Sequence, residues 1–171
     1  MPEFLTLLPP NEARTLLLSQ LSQQISETEL IDVPSSLGRI LAEDVVAPHP
    51  LPEFQRSTVD GYAVRARDTH GASDSLPAYL SLIDEVPMGD TPAFEVGAGQ
   101  CALIHTGGML PDGTDAVVML EYAQSIAKKE VEVFRAVAEG ENVIRIGEDV
   151  VQGQTVLEKG SLIRPAEIGG L

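Results

Sequence analysis

The sequence predicts an α+β protein, mostly β, with an N-terminal helix and a compact, barrel-like β domain over about residues 51–139. Three observations carry this. Short apolar runs alternate with turn signals from Leu51 onward. One leucine-rich stretch near the start recurs at three- and four-residue spacing. A Pro-rich segment separates the two.

The helix is expected over residues 11–26. Asn11 is placed to cap it, and Glu12 sits in the first turn, where the helix dipole favours negative charge. Leu17, Leu18, Leu21 and Ile25 form one apolar stripe, which needs the rest of the chain or a partner subunit to pack against. A shorter helix is expected from Ser36 to Asp44, with Leu37, Ile40 and Leu41 inward. Pro48, Pro50 and Pro52 then exclude both a helix and a central strand, so residues 45–52 read as a stiff extended linker.

Strand-like runs follow at Tyr79–Ile83, Cys101–Ile104, Ala116–Leu120 and Val131–Val137. Turn residues separate them at Gly89-Asp90, Gly97-Ala98-Gly99, Asp112-Gly113 and Glu139-Gly140. Beyond residue 140 the rhythm changes. Gly147, Gly153 and Gly160 punctuate short runs at 155–157 and 161–163, and Pro165 opens a helix at its first position.

Composition narrows the function. The 171 residues carry 26 acidic and 11 basic side chains, a net charge of −15. Phosphate backbones are repelled by such a surface, so nucleic acid is not an expected partner. An anionic small substrate would need divalent cations or basic groups from elsewhere. The lone cysteine, Cys101, excludes an internal disulfide and a cysteine-built metal site, and its apolar neighbours make it a core residue. No signal peptide or long apolar segment is present, so a soluble cytoplasmic protein without membrane contact is expected.

Three loops hold the polar groups that chemistry needs. In the first, Arg56, Ser57 and Thr58 can hydrogen-bond an anion, Asp60 brings a carboxylate, and Gly61 leaves room for a ligand. By itself this loop reads first as an Asp-Gly turn with polar decoration. In the second, a strand ends in His105-Thr106-Gly107-Gly108. Free N–H groups beside the Thr106 hydroxyl can cradle an oxyanion, and His105 is an acid, base, ligand or structural residue. In the third, Glu148 and Asp149 follow Gly147 and offer oxygens to a hard cation, with Arg145 near them.

Taken in order, these loops resemble those of the molybdopterin molybdenumtransferases, the family that includes the bacterial enzyme and the E domain of gephyrin. The resemblance also takes in Leu37-Gly38-Arg39-Ile40-Leu41-Ala42-Glu43-Asp44-Val45 and the Pro-rich segment. It departs at Gln55-Arg56, where the family often has Asp-Asn or Asp-Arg. It departs again at Thr58-Val59 for Ala-Met, and at Gly108, where the family has Ala. The carboxylate of Asp60 and the hydroxyl of Thr106 are untouched by these changes.

The resemblance implies an elongated linker domain split between residues 1–50 and 140–171, with the β domain of residues 51–139 inserted. It implies a homodimer. It also implies an active site shared between one subunit's inserted domain and the molybdopterin-binding domain of the other, a domain expected to lie outside these 171 residues. The implied reaction inserts molybdate into adenylylated molybdopterin with release of AMP, with Mg²⁺ offsetting phosphate charge. Asp60, Thr106 and Asp149 are then the catalytic residues, and Asp60 and Asp149 the cation ligands. Arg56, Ser57, Gly61 and Gly107 bind substrate. The chain alone is expected to be inactive. The competing expectation is a non-catalytic dimerising scaffold or binding module with the same fold.

Overall fold

The computed structural model describes residues 7–21, 27–127 and 129–171. The chain forms two compact units, residues 1–42 with 162–171, and residues 43–161. Among the described residues no helix is long and apolar enough to cross a membrane.

In the smaller unit, helix α1 spans Pro10–Gln20. It begins one residue earlier than expected. Pro10 takes the first helical turn, where its missing N–H costs nothing, and Asn11 falls inside the helix instead of capping it. Leu21 is already extended, which ends the helix, and residues 22–26 lie outside the described residues. No residue of α1 is buried, so its leucine stripe is exposed.

The helix expected over 36–44 does not form. Gly38 adopts a left-handed conformation, with φ of 77°. Its N–H donates to Ile163 O (2.8 Å), and the Arg39 carbonyl accepts from Ile163 N–H (2.9 Å). Backbone groups that a helix would pair internally are spent on a distant segment, and Leu37 and Ile40 are left exposed. Helix α2, Pro165–Gly170, starts at Pro165 as expected. The Glu167 carboxylate accepts from the Arg164 backbone N–H at 3.0 Å and pairs with its guanidinium. The hydrogen bond from that guanidinium leads the causes that hold the Glu167 carboxyl down at about 2.

Among the described residues of the larger unit the strands are β1 (Val45–Val46), β2 (Arg56–Ser57), β3 (Gly61–Val64), β4 (Ala78–Val86), β5 (Gln100–Ile104), β6 (Ala116–Met119), β7 (Ala123–Ala127), β8 (Glu130–Val133), β9 (Val143–Ile144) and β10 (Thr155–Leu157). Six of them form one sheet, in the order β6-β3-β5-β4-β8-β7, curled into a half-barrel. Strand β3 runs antiparallel to both β5 and β6, and β4 runs parallel to β5. The expected runs at 79–83, 101–104 and 116–120 sit within or beside β4, β5 and β6. The run at 131–137 stops as a strand at Val133.

Both faces of the sheet are apolar. Alternation along the strands sends Tyr62, Val64, Cys101, Val118 and Val131 into one cluster. Ala63, Ile104, Val117 and Val86 go into a second cluster with Leu110. Every residue of β3 is buried, as befits a central strand. Cys101 is fully buried, and burial pushes its thiol up to about 12. Native protein at neutral pH is therefore expected to react with a thiol reagent only after unfolding. Rapid stoichiometric labelling without denaturant would contradict this.

The Pro-rich segment, expected as an extended linker, bends at Pro48-His49 and again at Pro52, and it is not a free linker. Strand β1 pairs antiparallel with β10, Ala47 N–H donates to Gln154 O (2.9 Å), and Leu51 N–H to Val150 O (2.8 Å). The prolines cannot donate, so Ala47 before them and Leu51 among them carry the backbone pairing.

Candidate functional site

Two residues, Arg56 and Ser57, tie the three polar loops together. On one side β2 pairs antiparallel with β9, matching Arg56 to Ile144 and Ser57 to Val143. On the other, Ser57 N–H donates to Gly108 O (3.0 Å), Gly107 N–H to Ser57 O (2.8 Å), and Leu110 N–H to Gln55 O (3.0 Å). Backbone pairing thus brings residues 55–60, 105–110 and 142–149 into one neighbourhood at an end of the sheet.

Asp60 stands just before β3, and its carbonyl accepts from Leu120 N–H at 3.1 Å. Its Oδ1 accepts two hydrogen bonds from one residue, Thr106 N–H at 2.8 Å and Thr106 Oγ1–H at 3.1 Å. The backbone bond, then the hydroxyl bond, hold its carboxyl below the ordinary carboxylate value; burial opposes them, and the His105 charge adds to them. The side chain is 57% exposed. Among the described residues its Oδ2 accepts no hydrogen bond.

Arg56 on β2 and Asp149, which follows β9, approach each other, Nη2 to Oδ2, at 3.9 Å. Both are substantially exposed, so the pair steers charge more than it stabilises the fold. Gly107 has φ of 82° and open space where a side chain would stand, so its backbone is approachable.

Two expected binding residues turn inward. Ser57 is only 1% exposed; its hydroxyl donates to Val59 O and accepts from Val59 N–H at 3.2 Å. It closes its own turn and presents nothing to a ligand. Gly61 is small for the sheet, since a Cβ there would lie 2.0 Å from the Val118 carbonyl oxygen. Glu148 is likewise local, its carboxylate accepting from Arg145 N–H at 2.9 Å.

One participant escapes the sequence altogether. Glu85, on β4, places Oε1 2.8 Å from His105 Nε2, while His105 Nδ1 lies 3.9 Å from Asp60 Oδ1. Nothing in the sequence pattern near Glu85 marks it, because its position depends on strand pairing.

As a cation site the set is sparse. No cluster of three or more His, Cys, Asp or Glu suited to a metal occurs among the described residues. Asp60 Oδ2 and the Asp149 carboxylate are the available oxygens. A cation held there by two carboxylates would keep most of its waters or take oxygens from a bound phosphate. The donor set does not fit an all-protein cage. A cavity of about 320 Å³ opens past the other end of β3, lined by Arg65, Arg67, His70, Asp115 and Glu139. It shares no residue with the Asp60 neighbourhood.

Residues 8–171 match the family described as the MoeA N-terminal region, domain I and II. A putative molybdopterin biosynthesis protein of Methanocaldococcus jannaschii is 40% identical over 168 residues, covering 96% of this chain and 40% of that protein. The molybdopterin molybdenumtransferase of Bacillus subtilis is 40% identical over 146 residues, covering 84% of this chain and 34% of that enzyme. Among solved structures, the crystal structure of a molybdopterin biosynthesis MoeA protein from Pyrococcus horikoshii superposes with a TM-score of 0.89 at 40% identity. It covers 97% of this chain and 43% of that one.

Proposed function

This chain belongs to the MoeA N-terminal family of molybdenum-cofactor biosynthesis, and on that premise we propose that its larger unit forms one wall of a molybdate-insertion site. The substrates are molybdate and adenylylated molybdopterin, and AMP is released. The observation that carries this is the Asp60–Thr106 pair, held by two hydrogen bonds within a neighbourhood built from all three polar loops. A relative with this region is named a molybdopterin molybdenumtransferase.

Each group has a role. Thr106 fixes the Asp60 carboxylate through Oδ1 and leaves Oδ2 outward. Arg56 supplies a cationic fork for a phosphate or oxyanion, and Asp149 limits where that fork points. The open backbone at Gly107 lets a ligand come close. Mg²⁺, when bound by Asp60 and Asp149, supplies the positive charge that offsets the substrate phosphates. With a net charge of −15, the chain does not attract such substrates unaided. The molybdopterin-binding groups therefore come from outside these residues. The exposed leucines of α1 offer apolar surface for pairing with a second copy.

The test is a chimera in which these 171 residues replace the matching region of the Bacillus subtilis relative. Molybdate-dependent AMP release and cofactor formation are expected from the chimera and absent from the 171-residue chain. Full turnover by the chain alone would overturn the one-wall reading. A folded, dimeric but inactive chimera would support the scaffold instead.

A further inference from the structure

Strand β4 carries an irregularity that decides which side chain reaches the site. Its pairing with parallel β5 runs Ser81–Gln100, Leu82–Cys101, then skips to Asp84–Ala102, Glu85–Leu103 and Val86–Ile104. Without the extra residue, Glu85 would meet Ile104 and point to the opposite face. The bulge shifts it by one. Glu85 then shares a face with Leu103 and, two residues on, with His105. The same shift sends Val86 with Ile104 into the second apolar cluster, which locks the register by burial.

On the other side of β5, β3 pairs Gly61 with Ile104. One step further, Asp60 stands across from His105. Glu85, His105 and Asp60 therefore form a row across the ends of β4, β5 and β3, with 2.8 Å between Glu85 Oε1 and His105 Nε2 and 3.9 Å between His105 Nδ1 and Asp60 Oδ1.

His105 is held twice. Its ring is anchored by Glu85, and its carbonyl accepts from Gly108 N–H at 2.8 Å. The peptide between these anchors is the one whose N–H, on Thr106, donates to Asp60. We propose that Glu85 and His105 are positioning residues that brace the His105–Thr106 peptide, so that Thr106 meets Asp60 in one geometry. A carboxylate orienting an imidazole is a common way to immobilise a site. Here the imidazole passes that order along the backbone to its neighbour. The brace deepens the proposed function and rests on it only for its effect on catalysis.

Amide hydrogen exchange on the whole 171-residue chain tests the brace without any substrate. His105→Ala and Glu85→Ala are each expected to speed exchange at the Thr106 amide by about tenfold, with β5 amides changing less than about twofold. His105→Gln, which keeps a donor for Glu85, is expected to retain most of the protection. Unchanged Thr106 exchange in both alanine variants overturns the brace. So does an equal loss across all of β5, which would mean general loosening of the sheet, or a His105→Gln variant no better than His105→Ala. If His105→Ala does not fold, Glu85→Ala decides the matter, since Glu85 is 53% exposed. An inactive chimera whose Thr106 amide behaves as expected would instead count against the proposed reaction.

Discussion

Gly61→Ala is expected to destabilise the protein by about 4 kcal/mol or more, a loss at the upper end for single substitutions. The added Cβ would lie 2.0 Å from the Val118 carbonyl oxygen and 2.9 Å from its carbon. Both are backbone atoms of β6, so no side-chain rotation relieves the overlap. Relief requires β3 and β6 to part, yet they are paired from Gly61–Met119 through Val64–Ala116. Parting them opens two fully buried residues, Val117 and Val118, on the two faces of the sheet. Since whole domains are stable by only about 5–15 kcal/mol, the variant should unfold at much lower urea than wild type. A change below about 1 kcal/mol would show that β6 can shift freely, and would sink the account of Gly61 as a sheet residue.

Asp60→Ala is expected to lower kcat/KM of the chimera by about 10²- to 10³-fold while leaving the fold intact, because the side chain is exposed. It removes both the outward carboxylate oxygen and the acceptor that orders Thr106. Thr106→Ala should cost less, about tenfold, because the backbone N–H bond to Asp60 survives. That surviving bond is also the first cause of the lowered Asp60 carboxyl. The direction sets the pH dependence. A carboxyl lowered in the folded state contributes stability above its unfolded value, and loses it as pH falls through the lower folded value. Activity depending on ionised Asp60 should therefore persist below the ordinary carboxylate range, and Thr106→Ala should move that acid limb upward only in part. Both variants turning over within about twofold of wild type would remove Asp60 and Thr106 from the chemistry.

The polar loops were legible because each joins turn residues to a carboxylate or hydroxyl in a short span. Asp60, Thr106, Asp149, Arg56 and Gly107 come together as one neighbourhood through β2 and its two partners. Ser57 and Gly61 looked like ligand contacts for the same local reason, yet one closes a turn and the other makes room for Val118. A hydroxyl or a glycine in a loop has the same sequence signature whether it serves a ligand or the fold. Glu85 was invisible because a single bulge, which no local pattern announces, turns it toward His105. The residues 36–44 misled in the opposite way. Their apolar spacing suits a helix, but Gly38 and Arg39 pair instead with Ile163, more than a hundred residues away in the chain.

By itself the sequence determined that this protein is mostly β with an aliphatic core, that it is strongly acidic, and to which family its loops belong. Those properties follow from composition and from motifs a few residues long, which survive any arrangement of the strands. The tertiary structure alone decided which polar groups face outward, that β2 joins the three loops, and that Glu85 stands behind His105. Each of these depends on strand register, and register is set by burial on both faces of the sheet at once.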